Sequence, residues 1–164
     1  MKIGVISFAH MHAYSYASVL KKLPGVQLAA VYDDDEERGK KASEMFGASY
    51  DNDLEQFLNR DLQAVIVCSE NSRHRYFVEK AAKAKKHILC EKPIATNLED
   101  ARAIIEVCEK NGVILQIAFP VRFLKPIAQL KRMINENQFG EIIAIRTTNR
   151  GQNPGGWFVD KRYS

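Results

Sequence analysis

The sequence predicts an α/β protein built on a doubly wound parallel sheet, and three observations lead to that prediction. Short apolar runs alternate with helical segments of about 10–15 residues, as in βαβ units with right-handed crossovers. The runs 62–68 and 113–119 are apolar almost throughout, as expected of strands covered on both faces. Gly47 and Gly112 each stand where the C-terminal cap of a helix belongs.

The predicted elements fill residues 2–119. The strands are expected at 2–7, 26–32, 48–50, 62–68, 87–91 and 113–119. A helical segment follows the first strand to about residue 23, and further helices are expected at 36–46, 53–60, 73–85 and 98–111. Six such strands match a Rossmann-type nucleotide-binding sheet, so residues 1–120 are predicted to form an NAD(P)-binding domain.

The pattern changes after residue 120. Residues 122–137 are typical of a long amphipathic helix, and residues 140–151 alternate like a half-exposed antiparallel strand. The tail that follows has turn residues and no evident partner. Because a strand without neighbours is unstable, residues 121–164 are predicted to be the incomplete start of a C-terminal α/β domain.

Composition excludes several classes of function. The chain has 164 residues, 46% hydrophobic and 27% charged, with a net charge of +4. Its basic stretches lack aromatic stacking platforms, so no nucleic-acid partner is expected. No apolar run reaches membrane-spanning length, so no membrane partner and a cytoplasmic location are expected. The odd cysteine count, without C-x-x-C spacing, favours buried packing over metal or disulfide roles.

The loop after the first strand, "SFAHMH", stands where dinucleotide-binding proteins carry G-x-G-x-x-G. Ser7, Ala9 and His12 occupy the three glycine positions. Ser7 is tolerable there if its φ is negative, and Ala9 is small enough for a pyrophosphate to approach. His12 either displaces the helix or points into the crevice. The amide donors and the positive helix end are expected to remain available.

Two histidines in this loop also raise the alternative of a metal-binding site. His10 and His12 stand at i and i+2, and no carboxylate or thiolate lies nearby in the sequence. Contact with a cofactor or substrate is the favoured interpretation, with packing as the alternative. The sequence therefore predicts no metal site.

The end of the second strand carries an acid suited to ribose recognition. Asp33 follows His12 by 21 residues, close to the sequence position at which an acid of dinucleotide-binding proteins contacts the adenosine ribose hydroxyls. Asp34 and Asp35 add negative charge that would repel a ribose 2′-phosphate, so NAD is favoured over NADP, although Arg38 is near. Alternatively, Asp34 or Asp35 merely caps the helix that begins at Glu36.

Two later loops face the same crevice. "CSENSRH" (68–74) offers backbone amides, Asn71 and His74, although Ser72 could simply cap the next helix. "HILCEKP" places Lys92 at the end of a buried strand, where lost hydration would lower the pKa of its ammonium and suit it to proton exchange. The alternative is a surface lysine, with Thr96 or Asn97 capping the following helix.

Together these segments resemble the Gfo/Idh/MocA family (glucose–fructose oxidoreductase/inositol dehydrogenase). The segments are "VIVCSENSRH", "EKP", "QIAFPVRF" and "FGEI", in that order. The resemblance implies an N-terminal Rossmann domain and a C-terminal open-sheet domain that walls the substrate site and often mediates homo-oligomers. It also implies hydride transfer between nicotinamide and a hydroxyl or carbonyl carbon of a sugar, polyol or related small molecule.

The resemblance also implies roles for individual residues. Lys92 would contact the reacting group and assist proton transfer, Glu91 would contact the cofactor, and the peptide before Pro93 would be cis. Arg122 matches an arginine of the family's G-F-x-x-R-F-like motif, and Trp157 resembles a tryptophan that reaches toward the cofactor in some members. The remaining predicted cofactor contacts are Ser7, Phe8, Ala9, His10, Met11, His12, Asp33, Asp34, Cys68, Ser69, Glu70, Asn71 and His74.

Two departures from the family pattern qualify this expectation. The glycine loop is altered, and the family's D-x-x-x-H-x-x-D-like stretch is expected just beyond residue 164. A polypeptide of these 164 residues is therefore expected to bind cofactor without turning over substrate. The alternative function is a nucleotide-binding module without turnover, either an inactive fragment or a regulatory relative.

Overall fold

The computed structural model describes residues 1–148, 151 and 154–164. The chain forms two compact units. One consists of Met1–Ala118 together with Gly156–Ser164, and the other is Phe119–Gly155.

The first unit is a six-stranded parallel sheet with helices, which confirms the predicted fold class. The strands are β1 (Lys2–Ile6), β2 (Gln27–Tyr32), β3 (Ser49–Asp51), β4 (Ala64–Val67), β5 (His87–Cys90) and β6 (Leu115–Ile117). The helices are α1 (His12–Leu20), α2 (Glu36–Phe46), α3 (Leu54–Asn59), α4 (His74–Lys83) and α5 (Leu98–Asn111). No helix among the described residues has the length and apolar character needed to cross a membrane.

The strand order is β3-β2-β1-β4-β5-β6, and it creates a switch point beside β1. The chain builds outward from β1 to β3, then returns to place β4 against the other side of β1. Ile6 pairs with both Tyr32 and Val67, so the loops after β1, β2 and β4 leave the sheet at one level. Ligands of open α/β sheets bind in the crevice at such a switch point.

Apolar side chains cover both faces of this sheet. One cluster contains the fully buried Phe57, Phe77 and Ile104, and the other contains Val5 and Val31. All three cysteines are free and buried, as expected of small core residues. Burial raises the pKa of the Cys68 thiol well above its ordinary value, which keeps that thiol protonated and unreactive.

Side-chain caps fix the starts of two helices that border the crevice. The Asp35 carboxylate accepts from the Arg38 amide at the start of α2, as one of the sequence alternatives proposed. Asn97 Oδ1 accepts from the Asp100 amide at 2.8 Å at the start of α5. Ser72 does not cap α4, because the residue before that helix is Arg73 and it makes no side-chain cap.

The second unit contains a short 3₁₀ helix, Pro120–Phe123, and the helix α6, Lys125–Asn135. The predicted helix at 122–137 is therefore shorter than expected, and Pro126 lies in its first turn, where its missing amide costs nothing. The predicted strand at 140–151 is wrong for residues 141–148, which form no strand. The described chain offers this segment no neighbouring strand for pairing. Residues 149 and 150 lie outside the described residues.

Residues 156–164, predicted as part of the second domain, pack instead on the first unit. The segment 156–159 is a 3₁₀ helix in which Trp157 Nε1 donates to the Ala9 carbonyl at 3.2 Å. Farther along, the Ser72 amide donates to the Tyr163 carbonyl at 3.1 Å. The tail, for which the sequence pattern gave no evident partner, is thus held mainly through backbone carbonyls and amides, which a sequence pattern does not reveal.

We predict that Asn97→Ala lowers the free energy of unfolding by about 1 kcal/mol, because the first turn of α5 loses its cap. Urea unfolding followed by circular dichroism measures the difference. The exposed Asn52→Ala serves as the control and should change stability by less than about 0.5 kcal/mol. Equal losses in the two variants would contradict the cap.

Candidate cofactor site

The loop after β1 makes a left-handed turn at Ser7. Its φ is 67°, so the negative φ under which a serine would be tolerated at this position is not observed. The turn keeps the conformation that glycine adopts most easily, at a cost of about 1–2 kcal/mol for a residue with a Cβ. The hydroxyl of Ser7 compensates in part, because it accepts from the Ala9 amide at 3.1 Å.

Most amides of this loop are already used inside the protein. The Ser7 amide donates to the Tyr32 carbonyl and the His10 amide donates to the Cys68 carbonyl. The Phe8 amide donates to Asp33 Oδ2 at 2.8 Å, and the His12 amide donates to His10 Nδ1 at 3.1 Å. The expectation that the loop amides remain free for a pyrophosphate is therefore wrong, because side chains close the turn where glycines would leave it open.

Side chains in the same loop face different surroundings. The Phe8 ring is buried and stacks on Phe46 with centroids 6.0 Å apart, so it belongs to the core. The Met11 side chain is exposed. The His12 side chain is partly exposed and contacts Glu91, which agrees with the alternative that it points into the crevice.

Asp33 is fully buried at the end of β2, and its carboxylate is saturated with donors. Besides the Phe8 amide, it accepts from the Asp35 amide at 3.1 Å. The Arg38 guanidinium donates to both of its oxygens, at 2.8 and 2.7 Å. Burial alone would lower the pKa of Arg38, but the hydrogen bonds and charge of Asp33 outweigh it and raise that pKa. The predicted ribose-binding acid is thus in place but engaged by an arginine.

A second ion pair stands beside the first. Arg73 Nη1 donates to Asp34 Oδ2 at 2.6 Å. Burial opposes ionisation of Asp34, but the Arg73 guanidinium outweighs it and holds the pKa of Asp34 below its ordinary value. The negative charge expected to repel a 2′-phosphate is therefore partly neutralised by Arg38 and Arg73.

The loop after β4 presents buried polar atoms toward the switch point. Cys68 and Ser69 are fully buried, Asn71 and His74 are buried, and Glu70 is half-buried. His74 Nδ1 donates to the Pro93 carbonyl at 2.8 Å, which leaves Nε2 as the lone-pair nitrogen. Among the described residues, His74 Nε2 and Asn71 Oδ1 have no hydrogen-bond partner. Because buried polar groups are normally bonded, these two atoms indicate a ligand.

Glu91, at the end of β5, is fully buried and gathers donors from three directions. Its Oε1 accepts from Tyr16 OH at 2.5 Å and lies 2.9 Å from His12 Nδ1. Its Oε2 accepts from the Lys92 amide at 3.1 Å. Sequence reasoning missed Tyr16, although it lies one helical turn after His12 and so shares a face of α1 with it.

The environment sets the protonation of this cluster. Burial raises the pKa of Glu91, but hydrogen bonds from Tyr16 and His12 and the nearby histidines outweigh it and lower that pKa below its ordinary value. Burial lowers the pKa of His10 to about 4, against the opposing attraction of Glu91. At neutral pH the cluster therefore contains an ionised carboxylate beside a neutral His10.

The same cluster removes the reason for setting aside a metal. The ligand atoms of His10, His12 and Glu91 all lie within 4.8 Å of one another. The sequence interpretation found no carboxylate near the two histidines, because Glu91 is 79 positions from His12 along the chain. The parallel sheet brings it there by placing β5 two strands from β1.

Lys92 is half-buried next to Glu91, and the Lys92–Pro93 peptide is cis, as the family resemblance implied. Arg122 lies in the second unit, where it is exposed and its guanidinium stands 5.4 Å from the centroid of the Phe119 ring. Glu91 thus lies against His10, His12 and Lys92, and Asp33 lies behind the first loop, whereas Phe8 belongs to the core and Arg122 to the other unit.

Comparison with known proteins shows which family has this sequence and fold. The model of a family described as the GFO_IDH_MocA oxidoreductase family, with an NAD-binding Rossmann fold, matches residues 1–119. The chain belongs to the Gfo/Idh/MocA family. Among relatives, a myo-inositol 2-dehydrogenase of Thermotoga maritima is 33% identical over 98% of this chain and 51% of its own length.

Solved structures of the Gfo/Idh/MocA type share the fold. An oxidoreductase of Agrobacterium radiobacter, in complex with NAD⁺, L-tartaric acid and magnesium, is 28% identical with a TM-score of 0.77, over 86% of this chain and 42% of that one. KijD10, a 3-ketoreductase of Actinomadura kijaniata in complex with NADP, is 26% identical with a TM-score of 0.75, over 84% and 42%. The chain spans about half the length of the curated relative above, and relatives with either dinucleotide occur.

We predict that Ser7→Ala destabilises the chain more than Ser7→Gly, by about 1 kcal/mol in the free energy of unfolding. Both variants lose the hydroxyl that accepts from Ala9, but only glycine relieves the positive φ. Urea unfolding of the two variants side by side measures the difference. An alanine variant as stable as the glycine variant would show that the left-handed turn is absent in solution.

Proposed function

We propose that this chain is the cofactor-binding part of an NAD-dependent oxidoreductase. The proposed reaction moves hydride between the nicotinamide and a hydroxyl or carbonyl carbon of a sugar, polyol or related small molecule. The observation that carries it is the switch-point crevice, where Lys92 follows Glu91 and where buried polar atoms of Asn71 and His74 have no hydrogen-bond partner within the described part of the chain. The names of family members, such as myo-inositol 2-dehydrogenase, support the substrate class.

The residues at the crevice fit a dinucleotide. Asp33 would accept hydrogen bonds from ribose hydroxyls. Asn71 and His74 would form hydrogen bonds with the part of the dinucleotide that lies against the loop after β4. When bound, the cofactor supplies the hydride chemistry, and the protein supplies binding, orientation and proton handling. Because most amides of the first loop are engaged, pyrophosphate binding is expected to depend on contacts outside that loop.

We infer a preference for NAD over NADP from the state of Arg38. Its Nε and Nη2 donate to Asp33, and its Nη1 lies 3.6 Å from Asp35 Oδ2, so all three nitrogens are engaged by carboxylates and not by a 2′-phosphate. A 2′-phosphate would also meet the carboxylates of Asp34 and Asp35, whose charge is only partly neutralised by arginines. Ribose hydroxyls, by contrast, can bind once they replace the Arg38 hydrogen bonds to the Asp33 oxygens.

We assign Lys92 to proton transfer at the reacting hydroxyl or carbonyl. Its amide is anchored to Glu91 Oε2, and the following peptide is held through the His74 bond to the Pro93 carbonyl. Both ends of the Lys92 backbone are therefore fixed by buried side chains, as proton transfer at a defined atom requires.

Turnover is proposed for the whole protein, and the 164-residue polypeptide alone is expected to bind cofactor without turnover. The chain spans 51% of the length of the inositol dehydrogenase relative, so half of that enzyme has no counterpart here. A cytoplasmic location and a homo-oligomeric state stay predictions from the sequence. The second candidate function is a nucleotide-binding module without turnover, because the first loop departs from the glycine pattern at Ser7, Ala9 and His12.

We predict that the chain binds NADH more tightly than NADPH, and that Arg38→Ala widens this preference about tenfold. Removal of the guanidinium frees two carboxylate oxygens for ribose hydroxyls and removes the nearest cation from a 2′-phosphate, an effect of about 1.4 kcal/mol. Titration calorimetry with both dinucleotides measures it, and Lys41→Ala on the same helix is the control. Tighter NADPH binding by the unaltered chain would overturn the assigned preference.

We predict that Lys92→Ala in the complete gene product lowers turnover about 10²–10⁴-fold and changes the NADH dissociation constant little. The loss follows from removal of the proton-transferring group, while the dinucleotide contacts at Asp33, Asn71 and His74 stay intact. NADH formation from a panel of polyols and sugars is the readout, with the exposed Lys110→Ala as control. Turnover equal to that of the control would remove Lys92 from the mechanism.

A further inference from the structure

Three metal-ligating side chains converge beside the start of α1. His10 and His12 come from the loop and the first turn of the helix, and Glu91 comes from the end of β5. Their ligand atoms lie within 4.8 Å of one another. His12 Nδ1 is 2.9 Å from Glu91 Oε1, and His10 Nε2 is 3.9 Å from Glu91 Oε2.

His10 supplies an independent sign that something binds here. Its side chain is 2% exposed, and its Nε2 has no hydrogen-bond partner among the described residues. The His12 amide donates to Nδ1, so the neutral ring carries its proton on Nε2, aimed toward a carboxylate oxygen that is too distant for a hydrogen bond. An unsatisfied buried polar atom of this kind costs about 1–3 kcal/mol.

We propose that His10, His12 and Glu91 bind a first-row divalent transition metal, with Zn²⁺ as the reference ion. Two imidazole nitrogens and one carboxylate oxygen form the donor set of three-ligand zinc sites, in which a fourth position stays open. Such a nitrogen-rich set does not suit Mg²⁺ or Ca²⁺, which take oxygen ligands.

The distances are close to those that coordination requires. With metal–ligand bonds of about 2.0–2.1 Å, tetrahedral ligand atoms lie about 3.3–3.5 Å apart. The observed separations of 2.9 and 3.9 Å run from His12 and His10 to different oxygens of the Glu91 carboxylate. All three ligand atoms lie within 4.8 Å of one another, so side-chain rotations must bring both imidazoles to one metal position. Coordination through His10 Nε2 also moves the ring proton to Nδ1, which breaks the 3.1 Å bond from the His12 amide at a cost of about 1 kcal/mol.

Neighbouring groups already orient the proposed ligands. Tyr16 OH and the Lys92 amide hold the Glu91 carboxylate from two sides. The His10 ring lies 5.1 Å from the Phe158 ring and 5.9 Å from the Trp157 ring, which cover it from solvent. Such outer contacts fix ligand orientation in metal sites and exclude competing water.

The proposal rests on these three side chains and not on the proposed oxidoreductase function. The experiment therefore uses the 164-residue chain, stripped with a chelator, in titration calorimetry with Zn²⁺ and with Mg²⁺. One equivalent of Zn²⁺ and no response to Mg²⁺ are expected. Titration with Co²⁺ should give the visible d–d absorption of a four-coordinate ion. NADH binding is measured in a separate titration. A failure to bind Zn²⁺ is therefore distinguished from a failure to bind the dinucleotide.

Variants separate a built site from chance binding. His12→Ala and Glu91→Gln should each weaken Zn²⁺ binding more than about 100-fold, because each removes a direct ligand. His87→Gln, which alters a histidine away from the cluster, should leave Zn²⁺ binding unchanged. Tyr16→Phe, which removes a hydrogen bond to Glu91 but no ligand, should still bind one equivalent, about 10–100-fold more weakly. Circular dichroism confirms folding, and the partly exposed His12 is the deciding position. Absence of stoichiometric Zn²⁺ binding, or unchanged binding by His12→Ala, would overturn the proposal.

Discussion

The buried carboxylate of Asp33 holds the loop after β1 in its tight turn. In a glycine-rich loop the backbone adopts this turn at little cost and leaves its amides outward. Here a serine has a positive φ, and the turn depends on an acceptor behind it. Asp33 supplies that acceptor by taking the Phe8 amide, and Arg38 neutralises the charge that burial would otherwise penalise. One carboxylate thus ties the first loop, the end of β2 and the first turn of α2 together.

Glu91 plays a corresponding part at the other side of β1. Asp33 serves the end of the crevice where a ribose would lie, and Glu91 serves the end next to Lys92. Each is fully buried, and each is stabilised by a different kind of donor, a charged guanidinium in one case and imidazole, phenol and amide groups in the other. The two ends therefore differ in charge: Arg38 offers a cation beside Asp33, whereas Glu91 offers an anion beside two histidines. A charge count along the sequence does not distinguish them.

The fold was predictable from the sequence because it depends on local patterns. The continuous apolar run at 62–68 marked the buried strand β4, and Gly47 and Gly112 marked the ends of α2 and α5 at the observed residues. The run at 113–119 marked β6, but this strand lies at the edge of the sheet with Gln116 exposed, so the expectation that both of its faces are covered is wrong. The site was predictable only as a set of loops. That Asp33 is engaged by Arg38, or that Tyr16 and His12 share Glu91, depends on side-chain geometry between elements distant in sequence. The strand expected at 140–151 is absent from residues 141–148 for a related reason. Alternation of apolar and polar residues predicts which side chains share a face of a strand, but it does not supply a second strand to pair with.

The engaged amides of the first loop change how the crevice recognises a ligand. In a glycine-rich loop, recognition of the pyrophosphate comes from backbone donors that no side-chain substitution can remove. Here the corresponding donors serve Ser7, Asp33, Cys68 and His10, so recognition shifts to side chains. Side-chain recognition is easily altered by single substitutions, and it leaves room for a cation at His10, His12 and Glu91. The loss of the glycines therefore moves specificity to the adjacent side chains and does not abolish the crevice.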